Sequence, residues 1–119
     1  MIQKQTYLIP GDRCGVFWVK TFHLYGNWKK KYSKLGEFIK VSVKNVRPES
    51  KIKKRIKLVG FIIRNKKECF KSDCSFLKFK QNNVILLKKR LTPKGKEIFG
   101  PIPWIIKRKK FRASFPSIL

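Results

Sequence analysis

The side chains best suited to chemistry are three cysteines, one histidine and six carboxylates. An odd number of cysteines cannot be fully paired in disulfides, which favours a reducing compartment. Eight residues separate Cys14 from His23, and four separate Cys69 from Cys74. Neither spacing gives the Cys-x2-Cys knuckle that orients two thiolates on one zinc ion. We therefore predict free, mostly buried thiols and no metal site, with His23 as a strand residue.

The six carboxylates offer no catalytic pair. They are isolated along the chain, at Asp12, Glu37, Glu49, Glu68, Asp73 and Glu97. Acid–base catalysis needs titratable groups held together, and no glycine-rich phosphate loop, nucleophile elbow or histidine-containing metal motif occurs in the sequence. The sequence predicts a protein that is not an enzyme, with no catalytic residue, no cofactor and no small-molecule substrate.

Positive charge dominates the composition. The 119 residues include 31 Lys+Arg against 6 Asp+Glu, a formal net charge of +25, and 42% of the residues are hydrophobic. That apolar content is too high for a disordered basic tail and sufficient for one domain with a core. Because such a domain repels itself, we expect marginal stability until a polyanion neutralises it.

The cations form five runs near predicted strand ends. The runs are Lys29-Lys30-Lys31, Lys51 with Lys53-Lys54-Arg55, Lys66-Lys67, Lys88-Lys89-Arg90 and Lys107-Arg108-Lys109-Lys110. A single run is ordinarily a solvated surface, but five runs favour phosphates, because each contact releases condensed counterions. No apolar face lies opposite a basic one at helical spacing, so a membrane surface is the weaker candidate. Folded RNA is the predicted partner.

Aromatic residues stand beside two of these runs. Trp28 precedes Lys29, and Trp104 precedes the last run. These rings could stack on unpaired bases. Equally, Trp28 and Tyr32 could plug one end of a barrel, and both interpretations stay open from sequence.

Apolar residues alternate with a period of two, which is typical of β-strands. We predict strands at residues 3–9, 16–24, 38–44, 56–64, 75–79 and 84–88, with turn residues between them. Five or six short strands suit a small closed barrel, because closure removes exposed strand edges. The tail from Ile98 is predicted to be irregular, with one short helical turn near residues 104–109.

Residue usage points to an organelle. Lys, Ile and Phe make up 47 of the 119 residues, and Ala occurs once, at Ala113; this is the bias of A/T-rich organellar genomes. No leader pattern precedes the first predicted strand, and no apolar run approaches the roughly 18 residues of a membrane span. We expect a protein of the mitochondrion, with a plastid as the alternative.

Several segments resemble the universal large-subunit ribosomal protein fourteen family. They lie in order over nearly the whole chain, at residues 1–6, 12–15, 29–32, 36–44 and 98–101. The signature region of the family resembles Gly60-Phe61-Ile62-Ile63, Asp73-Cys74, Phe79, Asn82 and Ile85-Leu86. Phe61 replaces an aliphatic residue, Ile85 a valine, and Cys74 the turn glycine. Cys74 matters physically, because a positive φ costs a residue that has a Cβ, and the turn could be reshaped.

The resemblance implies one all-β domain over residues 1–119: a closed five-stranded β-barrel over about residues 1–90, with a projecting β-hairpin, and an irregular C-terminal extension with a short helix over about residues 91–119. It implies a structural constituent of the large ribosomal subunit that binds large-subunit rRNA near the subunit interface and contributes to inter-subunit bridging. Neighbouring large-subunit proteins, small-subunit rRNA and, in some relatives, a silencing factor are the implied partners.

The charged loops and the resemblance together give two sets of site residues. The predicted rRNA-binding residues are Lys29, Lys30, Lys31, Tyr32, Lys44, Lys51, Lys53, Lys54, Arg55, Arg64, Lys66 and Lys67. The predicted protein or inter-subunit contacts are Lys94, Lys96, Trp104, Lys107 and Arg108. The residues expected to keep the barrel rigid are Ile39, Val41, Val43, Ile62, Phe79 and Leu86. The alternative function is a free-standing single-stranded nucleic-acid-binding barrel, which would need stacking aromatics exposed on a strand face.

Overall fold

A computed structural model describes residues 1–95 and 97–106 and the backbone of residues 117–118, and these residues form an all-β fold. The strands are β1 (Ile2–Gln3), β2 (Tyr7–Pro10), β3 (Val16–Leu24), β4 (Tyr32–Ser33), β5 (Phe38–Val46), β6 (Lys57–Arg64), β7 (Cys69–Phe70), β8 (Phe76–Leu77), β9 (Asn83–Leu87), β10 (Pro101–Ile102) and β11 (Ser117–Ile118). The described residues include no helix long and apolar enough to cross a membrane. The predicted all-β class is confirmed. The short helix predicted near residues 104–109 lies partly outside the described residues, and Trp104 and Ile105 form a turn.

Five of the strands close into a barrel in the order β2-β3-β5-β6-β9. Its neighbouring strands are antiparallel except β2 and β9, which run parallel and place Ile9 opposite Asn83. Every barrel strand therefore has two neighbours, and no edge is left for pairing with another chain. The predicted closed barrel of five strands is confirmed. The predicted strand at residues 3–9 is divided between β1 and β2, and the one at residues 75–79 shortens to β8, which pairs with β7 outside the barrel.

Every second side chain of a strand points into the barrel and fills its interior, as β5 shows. Ile39, Val41 and Val43 are fully buried, while Lys40 and Lys44 on the same strand are exposed. The buried side chains share one cluster with residues from the other barrel strands, including Leu8, Val19, Ile62, Val84 and Leu86. The expected core set is confirmed except at one position. Phe79 is half-buried and lies outside the cluster, because it belongs to the loop between β8 and β9.

The strands β6 and β9 are buried on both faces. Their outward side chains are Phe61, Ile63, Ile85 and Leu87, which form a second cluster with Ile102 and Ile106 of the C-terminal segment. Residues 98–106 are irregular, as expected, but they are packed against the barrel wall and do not extend away from it. A continuous apolar stretch such as residues 84–87 is typical of a strand covered on both sides.

Arg64 fixes the C-terminal segment to the barrel. It is only 9% exposed, and its Nη1 donates to the carbonyl oxygens of Phe99 at 2.8 Å and Pro101 at 3.2 Å. Its Nε donates to Asn83 Oδ1 at 3.1 Å. Gly100, between the two carbonyl acceptors, has φ +75° and no space for a Cβ beside the guanidinium. Arg64 is among the residues predicted to bind rRNA, but its buried guanidinium already donates to three acceptors within the chain.

The projecting β-hairpin that the resemblance implies corresponds to the closed end of the β5–β6 hairpin. The loop at residues 47–56 is bound to the β2–β3 loop, since the Arg47 N–H donates to the Gly15 carbonyl at 2.9 Å and Ser50 Oγ donates to the Cys14 carbonyl at 3.3 Å. Ile52 is buried beneath it. These contacts hold the basic residues of the loop on a fixed backbone.

Replacing the buried guanidinium tests its role in holding the C-terminal segment. We expect Arg64→Leu to lower the free energy of unfolding by at least about 2 kcal/mol, because two carbonyls lose a charged donor. Hydrogen exchange over residues 98–106 should accelerate. Urea unfolding and hydrogen exchange with mass spectrometry measure both effects. Lys66→Leu, two residues away and exposed, is the matched control and should change stability by less than about 0.5 kcal/mol; equal effects of the two substitutions would contradict the role of Arg64.

Candidate nucleic-acid interface

Strand direction divides the barrel loops between two ends. Because β2, β5 and β9 point one way and β3 and β6 the other, the loops that follow β2, β5 and β9 lie together. We call this the first end, which comprises residues 11–15, 47–56 and 88–95. The second end comprises the loops after β3 and β6, residues 25–37 and 65–82. Basic runs that are distant in sequence therefore meet in two groups.

The predicted rRNA-binding residues divide between these groups. The first end holds Lys51, Lys53, Lys54 and Arg55, with Lys44 nearby on β5. The second end holds Lys29, Lys30, Lys31, Tyr32, Lys66 and Lys67. These side chains are exposed except that of Lys30, which is half-buried. The barrel thus collects the predicted residues at two places, and Arg64, the last residue of β6, borders the second end.

The carboxylates do little to neutralise this charge. Two salt bridges occur within the described ranges, from Arg13 Nη1 to Glu97 Oε2 at 3.1 Å and from Lys30 Nζ to Glu37 Oε2 at 2.8 Å. The pKa of Glu37 is lowered, because hydrogen bonds from Lys30 and from the backbone N–H of residue 34 outweigh the raising effect of burial. Most cations of the described residues thus have no carboxylate partner and are available to an external anion.

A buried acid and a half-buried thiol lie at the first end. Asp12 is 6% exposed, and its Oδ2 accepts from the Gly95 N–H at 3.0 Å. Burial raises the pKa of Asp12. Burial and the neighbouring Asp12 charge raise the pKa of Cys14 to about 12. This thiol is therefore protonated at neutral pH and unsuited to nucleophilic or metal chemistry.

The three cysteines are free, but they are less buried than predicted. Cys14 and Cys69 are half-buried, and Cys74 is exposed. His23 lies in β3, as predicted. Within the described part of the chain, no three potential metal ligands come together.

In the turn between β7 and β8, a residue other than glycine adopts the left-handed backbone conformation. Cys74 has φ +67°, a conformation that costs a residue with a Cβ. Asp73 Oδ1 accepts from the Ser75 N–H at 3.2 Å and from its Oγ at 2.6 Å, and the Lys71 N–H donates to the Ser75 carbonyl at 2.7 Å. These bonds hold the strained turn, so the substitution of Cys for glycine leaves a closed hairpin at the second end.

The residues predicted for protein or inter-subunit contacts are only partly described. Lys94 is half-buried, and Trp104 is 63% exposed beside the second cluster. Lys96, Lys107 and Arg108 lie outside the described residues. Trp28 is 87% exposed, so its interpretation as a barrel plug is wrong.

One exposed surface was missed by the sequence analysis. Tyr7 on β2 and Phe17, Trp18 and Phe22 on β3 are between 38% and 56% exposed, on the outer wall of β2, β3 and β5. We call these four residues the aromatic face. The available signal was the pairing of consecutive large residues in β3, Phe17-Trp18 and Phe22-His23, which breaks strict alternation.

Comparison with known proteins gives a family match over nearly the whole chain. The family model described as ribosomal protein L14p/L23e matches residues 1–116. The large ribosomal subunit protein uL14m of Tetrahymena pyriformis is 50% identical over 115 residues, which is 97% of this chain and 97% of that protein. That relative is mitochondrial, and the match supports the mitochondrion as the location of this chain.

Thiol labelling tests the burial and charge around Cys14. We expect iodoacetamide at pH 8 to modify exposed Cys74 at least about 100-fold faster than Cys14, because a pKa of about 12 leaves roughly one Cys14 thiol in ten thousand ionised. Peptide mass spectrometry over time gives both rates. Labelling in urea is the control and should bring the rates together. Equal rates in the folded protein would show that the acid and thiol are not buried as described.

Proposed function

This chain belongs to the ribosomal protein L14p/L23e family, and from that premise we propose that it binds large-subunit rRNA through the basic loops at both ends of its barrel. Family membership makes the chain a structural ribosomal protein and not an enzyme, which confirms the prediction from the isolated carboxylates. The proposal adds the site, the partner and its position near the subunit interface in a mitochondrial ribosome.

The observation that carries the proposal is the concentration of unpaired cations on fixed loops. At the first end, the loop at residues 47–56 is bonded to Gly15 and Cys14. At the second end, the Gly36 N–H donates to the Ile62 carbonyl at 2.9 Å, and Lys30 holds Glu37. Loops ordered in advance lose little entropy on binding, and each lysine near a phosphate releases counterions. Rigid, uncompensated charge of this kind favours a polyanion of fixed shape.

We assign rRNA contacts to the exposed members of the predicted set. These are Lys44, Lys51, Lys53, Lys54 and Arg55 toward the first end, and Lys29, Lys31, Tyr32, Lys66 and Lys67 at the second end. Lys30 contributes less, because its ammonium is already paired with Glu37. Arg64 is left out, since it is buried and bonded to the C-terminal segment.

The C-terminal side of the barrel is the proposed contact with ribosomal proteins or with small-subunit rRNA. Exposed Trp104 and Ile105 form a turn beside the second cluster. Phe99 is 47% exposed, and the Arg13 guanidinium lies 5.4 Å from the centre of its ring. In the described part of this segment, apolar side chains outnumber cations, which suits a protein neighbour better than an isolated phosphate backbone.

Sedimentation separates the ribosomal function from the alternative, a free-standing nucleic-acid-binding barrel. We expect the chain, tagged in mitochondria, to co-migrate with large ribosomal subunits in a magnesium-containing gradient and to leave them when magnesium is chelated. A small-subunit ribosomal protein in the same gradient is the control. A mainly free pool in magnesium would contradict assembly into the large subunit.

Paired and unpaired cations should contribute differently to rRNA affinity. For Lys53→Gln with Lys54→Gln, we expect the slope of log affinity against log salt to fall by about 1.4 to 1.8, since each lost phosphate contact removes roughly 0.7 to 0.9. The matched control, Arg13→Gln with Lys30→Gln, removes two cations that Glu97 and Glu37 already neutralise. Its slope should change by less than half as much. Filter binding to a large-subunit rRNA transcript measures both slopes, and identical changes would contradict the assignment to the loop.

A further inference from the structure

Among the described residues, the chain covers one half of the outer barrel wall and leaves the other half uncovered. Residues 98–106 cover β6 and β9. On the other half, the aromatic face is 56% exposed at Tyr7, 47% at Phe17, 49% at Trp18 and 38% at Phe22. Grouped exposed rings of this size on a soluble domain mark an interaction surface.

Bulges in β3 produce this exposure. Between β3 and β5 the register shifts around Trp18 and again between Thr21 and His23. Strict alternation would direct one residue of each consecutive pair inward. Instead, both Phe17 and Trp18 lie outside, while Val16 and Val19 remain in the core. The irregular backbone therefore places extra rings on the outer wall, and such bulges commonly re-aim side chains at functional sites.

Cations stand between the rings. Lys20 Nζ lies 5.4 Å from the centre of the Tyr7 ring, and Lys57 Nζ lies 5.8 Å from that of Phe22. Arg47 Cζ lies 5.5 Å from the centre of the Phe17 ring. The strands β2, β3 and β5 contain no Asp or Glu. The face thus alternates π surfaces with positive charge.

We propose that the aromatic face binds an unpaired stretch of rRNA, with bases stacked on its rings and phosphates held by the adjacent cations. This inference rests on the proposed function and adds a second mode of binding to the phosphate contacts of the loops. Aromatic rings beside basic side chains are the arrangement that binds single-stranded nucleic acid with little sequence preference. Each stacked base contributes about 1–3 kcal/mol.

Charge decides between RNA and a protein as the occupant. An apolar protein surface laid on this face would remove Lys20, Lys57 and neighbouring Lys40 from water without supplying partners, which is unfavourable. A nucleic-acid strand supplies a phosphate beside each base. The aromatic face is continuous with the basic loop of the first end, which supports the same occupant. Arg47 belongs to that loop, and its guanidinium lies beside the ring of Phe17. A single RNA strand can therefore pass from the loop at residues 47–56 onto the aromatic face.

Fluorescence tests stacking directly. In a protein with Trp28→Phe and Trp104→Phe, Trp18 is the one remaining tryptophan of the three. We expect a 12-nucleotide single-stranded RNA to quench its emission and a duplex of the same length to leave it nearly unchanged, since paired bases are not free to stack on a side chain. Quenching by both, or by neither, would overturn the proposal.

A matched pair of substitutions tests the energetic contribution. Phe22→Ala and Trp18→Ala should each weaken binding of the single strand by about 5- to 150-fold, the equivalent of one stacked base, with the salt slope unchanged. Trp18→Leu keeps an apolar side chain; it should retain the thermal midpoint of the parent and still lose the affinity.

The outcomes separate this inference from the function on which it rests. If the ring substitutions leave affinity intact while Lys53→Gln with Lys54→Gln weakens it, stacking is wrong and the loop assignment stands. If the parent protein shows no salt-dependent binding to rRNA, the proposed function fails first. Photo-crosslinking from position 18 in the assembled subunit should reach RNA; crosslinks to protein alone would identify the face as a protein interface and overturn the proposal.

Discussion

The parallel pairing of β2 with β9 is the constraint on which the remaining structure depends, because it closes the barrel. Asn83 lies at this junction: its Nδ2 donates to the Ile9 carbonyl at 3.2 Å, and its Oδ1 accepts from Arg64 Nε at 3.1 Å. Arg64 in turn holds the carbonyls of the C-terminal segment. One buried amide therefore joins barrel closure to the covering of β6 and β9.

Closure also determines where the positive charge is tolerated. The nine residues of β3 span roughly 30 Å, several times the Debye length of about 8 Å at physiological ionic strength. Cations at the first end are consequently screened from those at the second end, and repulsion acts mainly within each group. That local repulsion is opposed by the closed apolar interior in the isolated chain and is relieved when phosphates approach. The barrel converts a dispersed excess of charge into two compact cationic sites.

Local alternation of apolar and polar residues predicts strand bounds and inward-facing side chains, as it does for β3 and β5. The bounds Val16–Leu24 are recovered as predicted, and the inward set of β5 is correct. Arg64 is different, since a guanidinium at a strand end has the same sequence signal whether it faces solvent or backbone carbonyls. The aromatic face was missed because bulges break the period of two. The grouping of loops at two ends depends on strand order, which no local pattern contains.

Both halves of the outer barrel wall carry large apolar side chains, but the described residues of the chain cover only one of them, and the two halves differ in charge. The outward residues of β6 and β9 are purely apolar over residues 61–63 and 84–87, and the apolar side chains Ile102 and Ile106 match them. On the other half, Lys20 of β3 and Lys57 of β6 lie among the rings. A segment of this chain with so few carboxylates would leave those ammonium groups without partners. The proposal of an RNA strand on this half agrees with that charge, because an unpaired nucleotide strand is both flat and anionic.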